Sequence, residues 1–502
     1  MLARLASAAL RGLDAEPVDV EVDLSRGLPS WSMVGLAEGA VRESRDRVRA
    51  ALLNSNFEFP LRHITVNLSP ADKRKDGSYF DLPVAMGLLI ASGQVQTDEP
   101  LPFMIGELAL DGRLNSISGA LPLALFARAQ GFKSIILPKA NVDEASVVDG
   151  IDVLPANNLL AVASHLAGRA LLSIHEAKLA ESIATQNVPD MADIRGQQQA
   201  RRALEISAVG FHHILLSGPP GVGKSMLAAR LPGILPPLTS AQKLEVARIY
   251  SISGESGRVP MSATPPYRAP HHSASDVAMI GGGSVPKPGE VSKSHHGTLF
   301  LDELPEYRRQ VLEVLRQPLE NGHVCIARAA DTLEFPAQFQ LVAAMNPCPC
   351  GYLGHPTRNC QCTGMQVRRY RTKISGPLLD RFDLRVHVPP VEKEELMGMI
   401  AGESSITVAM RVNEARQRQY VRQGDGVVNA RLTPSQLETF AKPDSEGAKL
   451  LDAAMSRFSL SARSYHRILK VSRTIADIES EQNISSNHIA EALQYRGEEH
   501  ES

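Results

Sequence analysis

Eight residues constrain this chain more than any others: Gly218-Pro219-Pro220-Gly221-Val222-Gly223-Lys224-Ser225. They fit GxxxxGK[ST] in full, and their flanks suit the pattern. Ile214 to Leu216 is an apolar run with the length of a buried strand, and Met226 to Leu231 can begin a helix. A strand that enters a glycine turn and leaves as a helix aims backbone N–H groups and the positive end of the helix dipole at one point, which suits phosphate. In such a loop Lys224 reaches the β- and γ-phosphates of ATP, and Ser225 ligates Mg2+. An α/β fold with strands leading to a common edge is the expectation.

Two further runs have polar tips. Thr298-Leu299-Phe300-Leu301 ends in Asp302-Glu303, and Gln340 to Met345 ends in Asn346. Alone, each is a strand end. Downstream of a phosphate loop, Asp302 is placed to hold the Mg2+ shell, Glu303 to polarise the attacking water, and Asn346 to orient that water against the γ-phosphate.

Cysteine gives a separate signal. Cys348-Pro349-Cys350 and Cys360-Gln361-Cys362 form two CxC pairs in one loop directly after Asn346. Four thiolates there can complete a tetrahedral Zn2+ shell, with His355 as a substitute ligand. The alternatives are two disulfides or four buried thiols. Cys325, in an alternating run, reads as core.

Charge and size bound the rest. The 502 residues suggest about three domains. Lys and Arg total 53 against 55 Asp and Glu, which excludes a globally basic nucleic-acid binder but not a basic patch. No apolar run reaches the ~18 residues of a membrane span. At the start, Arg4 and Arg11 shorten the apolar centre that a signal peptide needs. A cytoplasmic protein without membrane association is expected. Val18, Val20, Val22 and Leu24 alternate as in a strand. Leu36, Ala40, Val48, Ala51 and Leu52 recur at helical spacing, and Arg308 to Leu319 reads as one further helix.

The stretches Arg268-Ala269-Pro270-His271-His272-Ser273, Gly281-Gly282-Gly283, Pro286-Lys287-Pro288-Gly289-Glu290, His295-His296-Gly297 and Phe300-Leu301-Asp302-Glu303-Leu304-Pro305 resemble the signature of magnesium-chelatase-like AAA+ ATPases. From residue 1 to about 495 the chain resembles the bacterial ComM/YifB family. The resemblance implies Walker A, Walker B and sensor-1 roles for Lys224, Asp302 with Glu303, and Asn346. It also implies an arginine finger at Arg381, acting on the neighbouring subunit in a ring, a hexamer in the family. Sensor 2 falls at Arg463, with Arg467 on the same helix face. A surface pair between Arg381 and Asp383 is the plainer alternative for Arg381.

The implied organisation is a Lon-protease-like α+β domain over 1–168 and a linker over 169–190. An AAA+ domain with the cysteine loop 348–362 follows over 191–392, then a helical lid of the magnesium-chelatase C-terminal type over 393–502. Gly106-Glu107-Leu108 and Ile135-Ile136-Leu137-Pro138-Lys139 are among the runs similar to the Lon domain. Against that family's Ser–Lys dyad, Tyr79 stands at the serine position and Leu121 at the lysine position. Ser78 is one residue off, which in an extended segment reverses its direction. No peptidase activity is expected.

The family function implied is an ATP-driven DNA helicase or branch-migration motor, acting on single-stranded or branched DNA during recombination and natural transformation, with other recombination proteins as partners. The alternatives are a chelatase ATPase subunit and an ATP-regulated DNA-binding scaffold. His323 to Glu334 resembles the hairpin that projects into the channel of hexameric helicases. Arg328, Lys287 and Lys293 are the expected phosphate contacts, with Arg368, Arg369, Arg371 and Lys373 as a second basic run and Lys73-Arg74-Lys75 as a third.

Overall fold

The computed structural model describes residues 1–36, 39–72, 75–97, 100–175, 188–255, 262–283, 285–327, 332–390, 402–458 and 460–496. The expected parts are present: an α+β amino-terminal part, a parallel-sheet α/β centre and a helical carboxyl-terminal part.

The alternation at Val18, Val20, Val22 and Leu24 forms one buried face of the strand Asp14–Ser25. That strand pairs antiparallel with Leu2–Arg11 on one side and with His63–Ser69 on the other; Ser30–Val34 completes the sheet in parallel with His63–Ser69. The first residues are thus a strand whose Arg4 faces solvent between buried Ala3 and Leu5. The helices Asp81–Ala91 and Ala120–Ala129 cover the buried face. Helix Gly39–Asn54 buries Val48, Ala51 and Leu52 as expected. Leu36 does not join them; it is exposed in the bend before that helix.

Two further sequence expectations fail in this part. Ser78 lies in a single 3-10 turn, Ser78–Phe80, so the extended-chain argument about its direction does not apply. Its hydroxyl donates to the Glu107 carboxylate. Tyr79 is buried and its phenol oxygen accepts the Leu10 N–H at 3.0 Å, while Leu121 is buried in the core. Lys75 is fully buried and donates to the Pro70 carbonyl, so it is no surface phosphate contact; Lys73 and Arg74 lie outside the described residues.

The central sheet has five parallel strands in the order Tyr267–Arg268, Thr298–Leu301, Gln340–Met345, Ile214–Ser217, Leu384–His387. A parallel sheet covered on both faces demands unbroken apolar strands. Thr298–Leu301 and Gln340–Met345 are buried along their whole length. Register aligns Ser217 with Met345 and Leu301 with Ala343, so the residues that follow these strands emerge at one carboxyl-terminal edge. Open parallel sheets bind ligands at that edge. The expected helix from Arg308 is two helices, Arg309–Val314 and Arg316–Asn321. Pro318 has no N–H to return to the carbonyl of Val314, which breaks the ladder there.

The carboxyl-terminal helices Ser405–Gln423, Pro434–Phe440, Ser445–Phe458, Ala462–Ile478 and Ser486–Gln494 share one hydrophobic core with the sheet, reaching from Met191 to Tyr495. Helix Ser240–Ser253 ties the centre to the amino-terminal part: Ala247 enters the amino-terminal core, Arg248 donates to the Leu13 carbonyl at 2.8 Å, and the Ser251 carbonyl accepts the Gly119 N–H at 3.0 Å. Among the described residues, no helix is long and apolar enough to cross a membrane.

Candidate nucleotide site

Strand Ile214–Ser217 delivers the phosphate loop, and helix Lys224–Arg230 leaves it. Gly221 and Gly223 have φ of 81° and 89°, where a side chain is strained. At Gly218 a Cβ would collide with the Val388 carbonyl oxygen. The loop therefore needs its glycines for both shape and clearance.

Lys224 is buried, and its Nζ donates to the carbonyls of Gly218 (2.7 Å) and Pro219 (2.8 Å) and to Asn346 Oδ1 (3.0 Å). Burial lowers the pKa of its ammonium, and the nearby charges of Asp302 and Glu303 oppose that. Ser225 Oγ donates to Asp302 Oδ2 at 2.6 Å. The other Asp302 oxygen accepts the Glu303 N–H at 2.9 Å, which fixes the carboxylate toward the loop. Glu303 has φ of 51° and ψ of 48°, an uncommon left-handed conformation for a non-glycine residue, and its half-exposed carboxylate lies 3.5 Å from His272 Nδ1. Lys224, Ser225, Asp302, Glu303 and Asn346 line an open cleft of about 370 Å3.

The sequence-derived set Lys224, Ser225, Asp302, Glu303 and Asn346 is thus brought together. It fits a magnesium nucleotide: one ammonium, turned-in loop amides, and a hydroxyl beside a carboxylate, the hard oxygen donors that Mg2+ takes. His272 is the site neighbour that sequence reasoning missed. It stood within a quoted stretch, but only the fold shows that it faces Glu303.

Arg381 and Arg463 do not line this cleft. Both line a second groove of about 510 Å3, together with Glu320, Asp383, Arg467 and Lys470. Arg381 pairs with Glu320 at 2.7 Å. The alternative surface pairing with Asp383 is not what the fold makes. Asp383 accepts from His212 Nδ1 at 3.0 Å and lies 3.9 Å from Arg467. Burial opposes its ionisation, but the His212 bond and the surrounding cations outweigh that and hold it at about 2. Arg467 also donates to the carbonyls of Asp380 (2.8 Å) and Phe382 (3.1 Å), strapping the backbone on both sides of Arg381. Arg463 is exposed one turn earlier on the same helix.

The four loop cysteines converge, with all four sulfurs within 4.8 Å of one another. Cys348 Sγ lies 3.4 Å from Cys350 Sγ and 3.6 Å from Cys360 Sγ. These are non-bonded separations, and none of the four is in a disulfide here. Two sulfurs on one tetrahedral zinc stand roughly 3.8 Å apart, given Zn–S bonds of about 2.3 Å, so the set fits the ion. His355 stands aside; its Nδ1 accepts the Thr357 and Arg358 N–H groups. The loop also touches the nucleotide site: a Cβ on Gly351 would lie 2.6 Å from Cδ of Pro220.

The expected nucleic-acid contacts divide. Lys287 is exposed on the short hairpin of Gly281–Gly282 and Lys287–Pro288, and Arg368 and Arg369 are exposed on helix Gly364–Arg371. Lys293 is not available: its ammonium lies between Glu255 (2.7 Å) and Glu290 (3.4 Å). Arg371 donates to the Pro347 carbonyl, and Lys373 pairs with Glu306. Arg328 lies outside the described residues.

Known proteins are similar to this chain along nearly all of its length. Family models described as "Magnesium chelatase, subunit ChlI", "Subunit ChlI of Mg-chelatase" and "Magnesium chelatase, subunit ChlI C-terminal" match residues 190–396, 20–141 and 402–496. The competence protein ComM of Haemophilus influenzae is 45% identical over 99% of this chain and 97% of its own length. The uncharacterized protein YifB of Escherichia coli is 45% identical over 97% and 96%. The chain belongs to the ComM/YifB family. Members are magnesium-chelatase-like AAA+ ATPases, and the matched central segment contains the Lys224 cleft. A Lon protease of Mycolicibacterium smegmatis is 26% identical over 34% of the chain.

Proposed function

We propose that this ComM/YifB member is an ATP-driven motor on single-stranded or branched DNA, working as a ring, hexameric as the resemblance implies, in the cytoplasm during uptake and recombination of DNA. The observation that carries the reading is the separation of its parts. The described lining of the Lys224 cleft includes no arginine, while Arg381 sits strapped in a different groove. A second copy supplying Arg381 to the first copy's γ-phosphate would complete the site.

In that arrangement Lys224 exchanges its loop carbonyls for the β- and γ-phosphates, and Asn346 orients the attacking water. Glu303 accepts that water's proton, with His272 beside it. Mg2+, when bound, would sit at Ser225 and Asp302 and neutralise phosphate charge. Arg381 stabilises the charge that develops in the transition state, an effect typically worth about 10³–10⁵ in rate. Lys287, Arg368 and Arg369 contact phosphate backbone, giving sequence-independent affinity. Zn2+ in the cysteine set would be structural, bracing Pro220 through Gly351. With Tyr79 and Leu121 in the dyad positions, the amino-terminal part serves assembly or DNA contact and is not proteolytic. The division of the chain at 168, 190 and 392 belongs to the same reading.

ATP turnover with and without DNA is the test. Turnover stimulated by DNA in the wild type and lost in Lys224→Ala supports the motor. Turnover indifferent to DNA would favour the scaffold, and magnesium insertion into protoporphyrin on reconstitution would favour the chelatase subunit.

A further inference from the structure

Cys325 is not the core residue that its alternating run suggested. It is half-buried on the hairpin of His323–Ala327 and Thr332–Pro336, an antiparallel pair in which Cys325 stands opposite Glu334. His323 lies two residues earlier on the same strand, hence on the same face. A ring nitrogen of His323, the Cys325 sulfur and a Glu334 carboxylate oxygen all lie within 4.8 Å of one another. The sulfur donates to Glu334 Oε1 at 3.6 Å. Two donors on one tetrahedral zinc, at Zn–S and Zn–O bonds of about 2.3 and 2.0 Å, stand roughly 3.5 Å apart.

A second cluster, Glu245 with His295 and His296, has similar spacing, and hydrogen bonding tells the two apart. His295 Nδ1 accepts the Gln338 N–H at 2.9 Å, so its proton sits on Nε2 and points at Glu245 3.1 Å away. The lone pair that a metal would need is already used there. At His323 the direction is reversed. Nδ1 faces the Asn321 carbonyl at 3.1 Å and must donate to it, which leaves the lone pair on Nε2. Donation of the other ring N–H to a carbonyl is the usual support of a metal-ligating histidine.

We propose that His323, Cys325 and Glu334 form a second metal site, for a borderline-soft divalent transition ion of the zinc class, with solvent in the fourth position. Thiolate, imidazole and carboxylate together suit that class and not Mg2+ or Ca2+. On binding, the sulfur–metal bond forms and the thiol proton leaves to the buffer. The ion cross-links the two strands of the hairpin. The site stands on its own geometry and does not depend on the motor reading.

Alkylation of Cys325 by N-ethylmaleimide in the full-length protein, followed by peptide mass spectrometry with and without Zn2+, resolves this site from the four loop cysteines. Zn2+ is expected to slow modification of Cys325 at least tenfold in the wild type. His323→Ala and Glu334→Gln should each restore the metal-free rate while the loop cysteines stay protected. A wild-type rate that Zn2+ does not change, or slowing that is equal in both variants, overturns the proposal. Metal content gives an independent reading: Cys325→Ser should hold one zinc fewer per chain, and an unchanged content would contradict the site.

Discussion

The helices Asp81–Ala91 and Lys224–Arg230 both start just behind a glycine with positive φ. Asp81–Ala91 follows Gly77 (φ 113°) with one 3-10 turn between them, and Lys224–Arg230 follows Gly223 (φ 89°) directly. Behind Gly77 the turn is filled: Tyr79 is buried, and Asp81, with no exposure, takes a two-point bond from Arg47 at 2.7 and 3.0 Å. Behind Gly223 the turn opens on a cleft where Lys224, Asp302 and Asn346 meet. The local backbone chemistry is similar. What differs is whether the sheet edge beside the turn brings polar strand tips to it. One turn is filled by packing, and the other stays open beside polar side chains.

The comparison breaks most plainly at Lys224 and Arg381. Lys224→Ala should abolish ATP turnover, and Arg381→Ala should lower it about 10³–10⁵-fold. If Arg381 acts across subunits, mixing the two inactive variants should restore part of the turnover; no restoration would contradict the trans site. Breaking the filled turn should act on folding and not on rate. Removing one partner of a buried ion pair costs about 3–5 kcal/mol. Arg47→Met should therefore lower unfolding stability by that order, read from denaturant melts, with kcat per folded molecule unchanged.

Smaller effects sharpen the picture. At Gly351, φ of 84° and the contact with Pro220 make a side chain intrusive. Gly351→Val should raise the ATP KM severalfold with little change in kcat, measured by steady-state turnover. The smallest effect concerns His213, whose Nδ1 accepts the Leu341 N–H at 3.0 Å. Burial pushes its pKa down to about 4. The unfolded chain binds this proton more readily, so the contribution is full above pH 6.5 and is lost as pH falls toward 4. Thermal melts across that window should show a loss that His213→Gln reduces.

Much of the candidate nucleotide site was legible because its parts follow short rules. Glycines mark a turn, an unbroken apolar run marks a strand buried on both faces, and the residue after that run marks the edge. The loop cysteines were legible for the same reason, since their spacing is local. What escaped depended on distant partners. Lys293 looked free because Glu255 is far away in sequence. Lys75 read as surface because nothing in the sequence places the Pro70 carbonyl against its ammonium. Cys325 passed as core because its cross-strand neighbour Glu334 is fixed by hairpin register, which alternation alone does not give. The assignment of Arg381 and Arg463 to a groove apart from Lys224 needed the crossing of helix Ala462–Ile478 against residues 380–383.

The central claim is that ATP hydrolysis in the Lys224 cleft moves DNA. Its most direct test is dissociation of a labelled Holliday junction by the wild type, Lys224→Ala and Glu303→Gln, each with ATP and Mg2+. The account predicts dissociation by the wild type and none by either variant, although Glu303→Gln still binds nucleotide. Equal dissociation by all three, or none by a wild type that hydrolyses ATP faster in the presence of the junction, would contradict it.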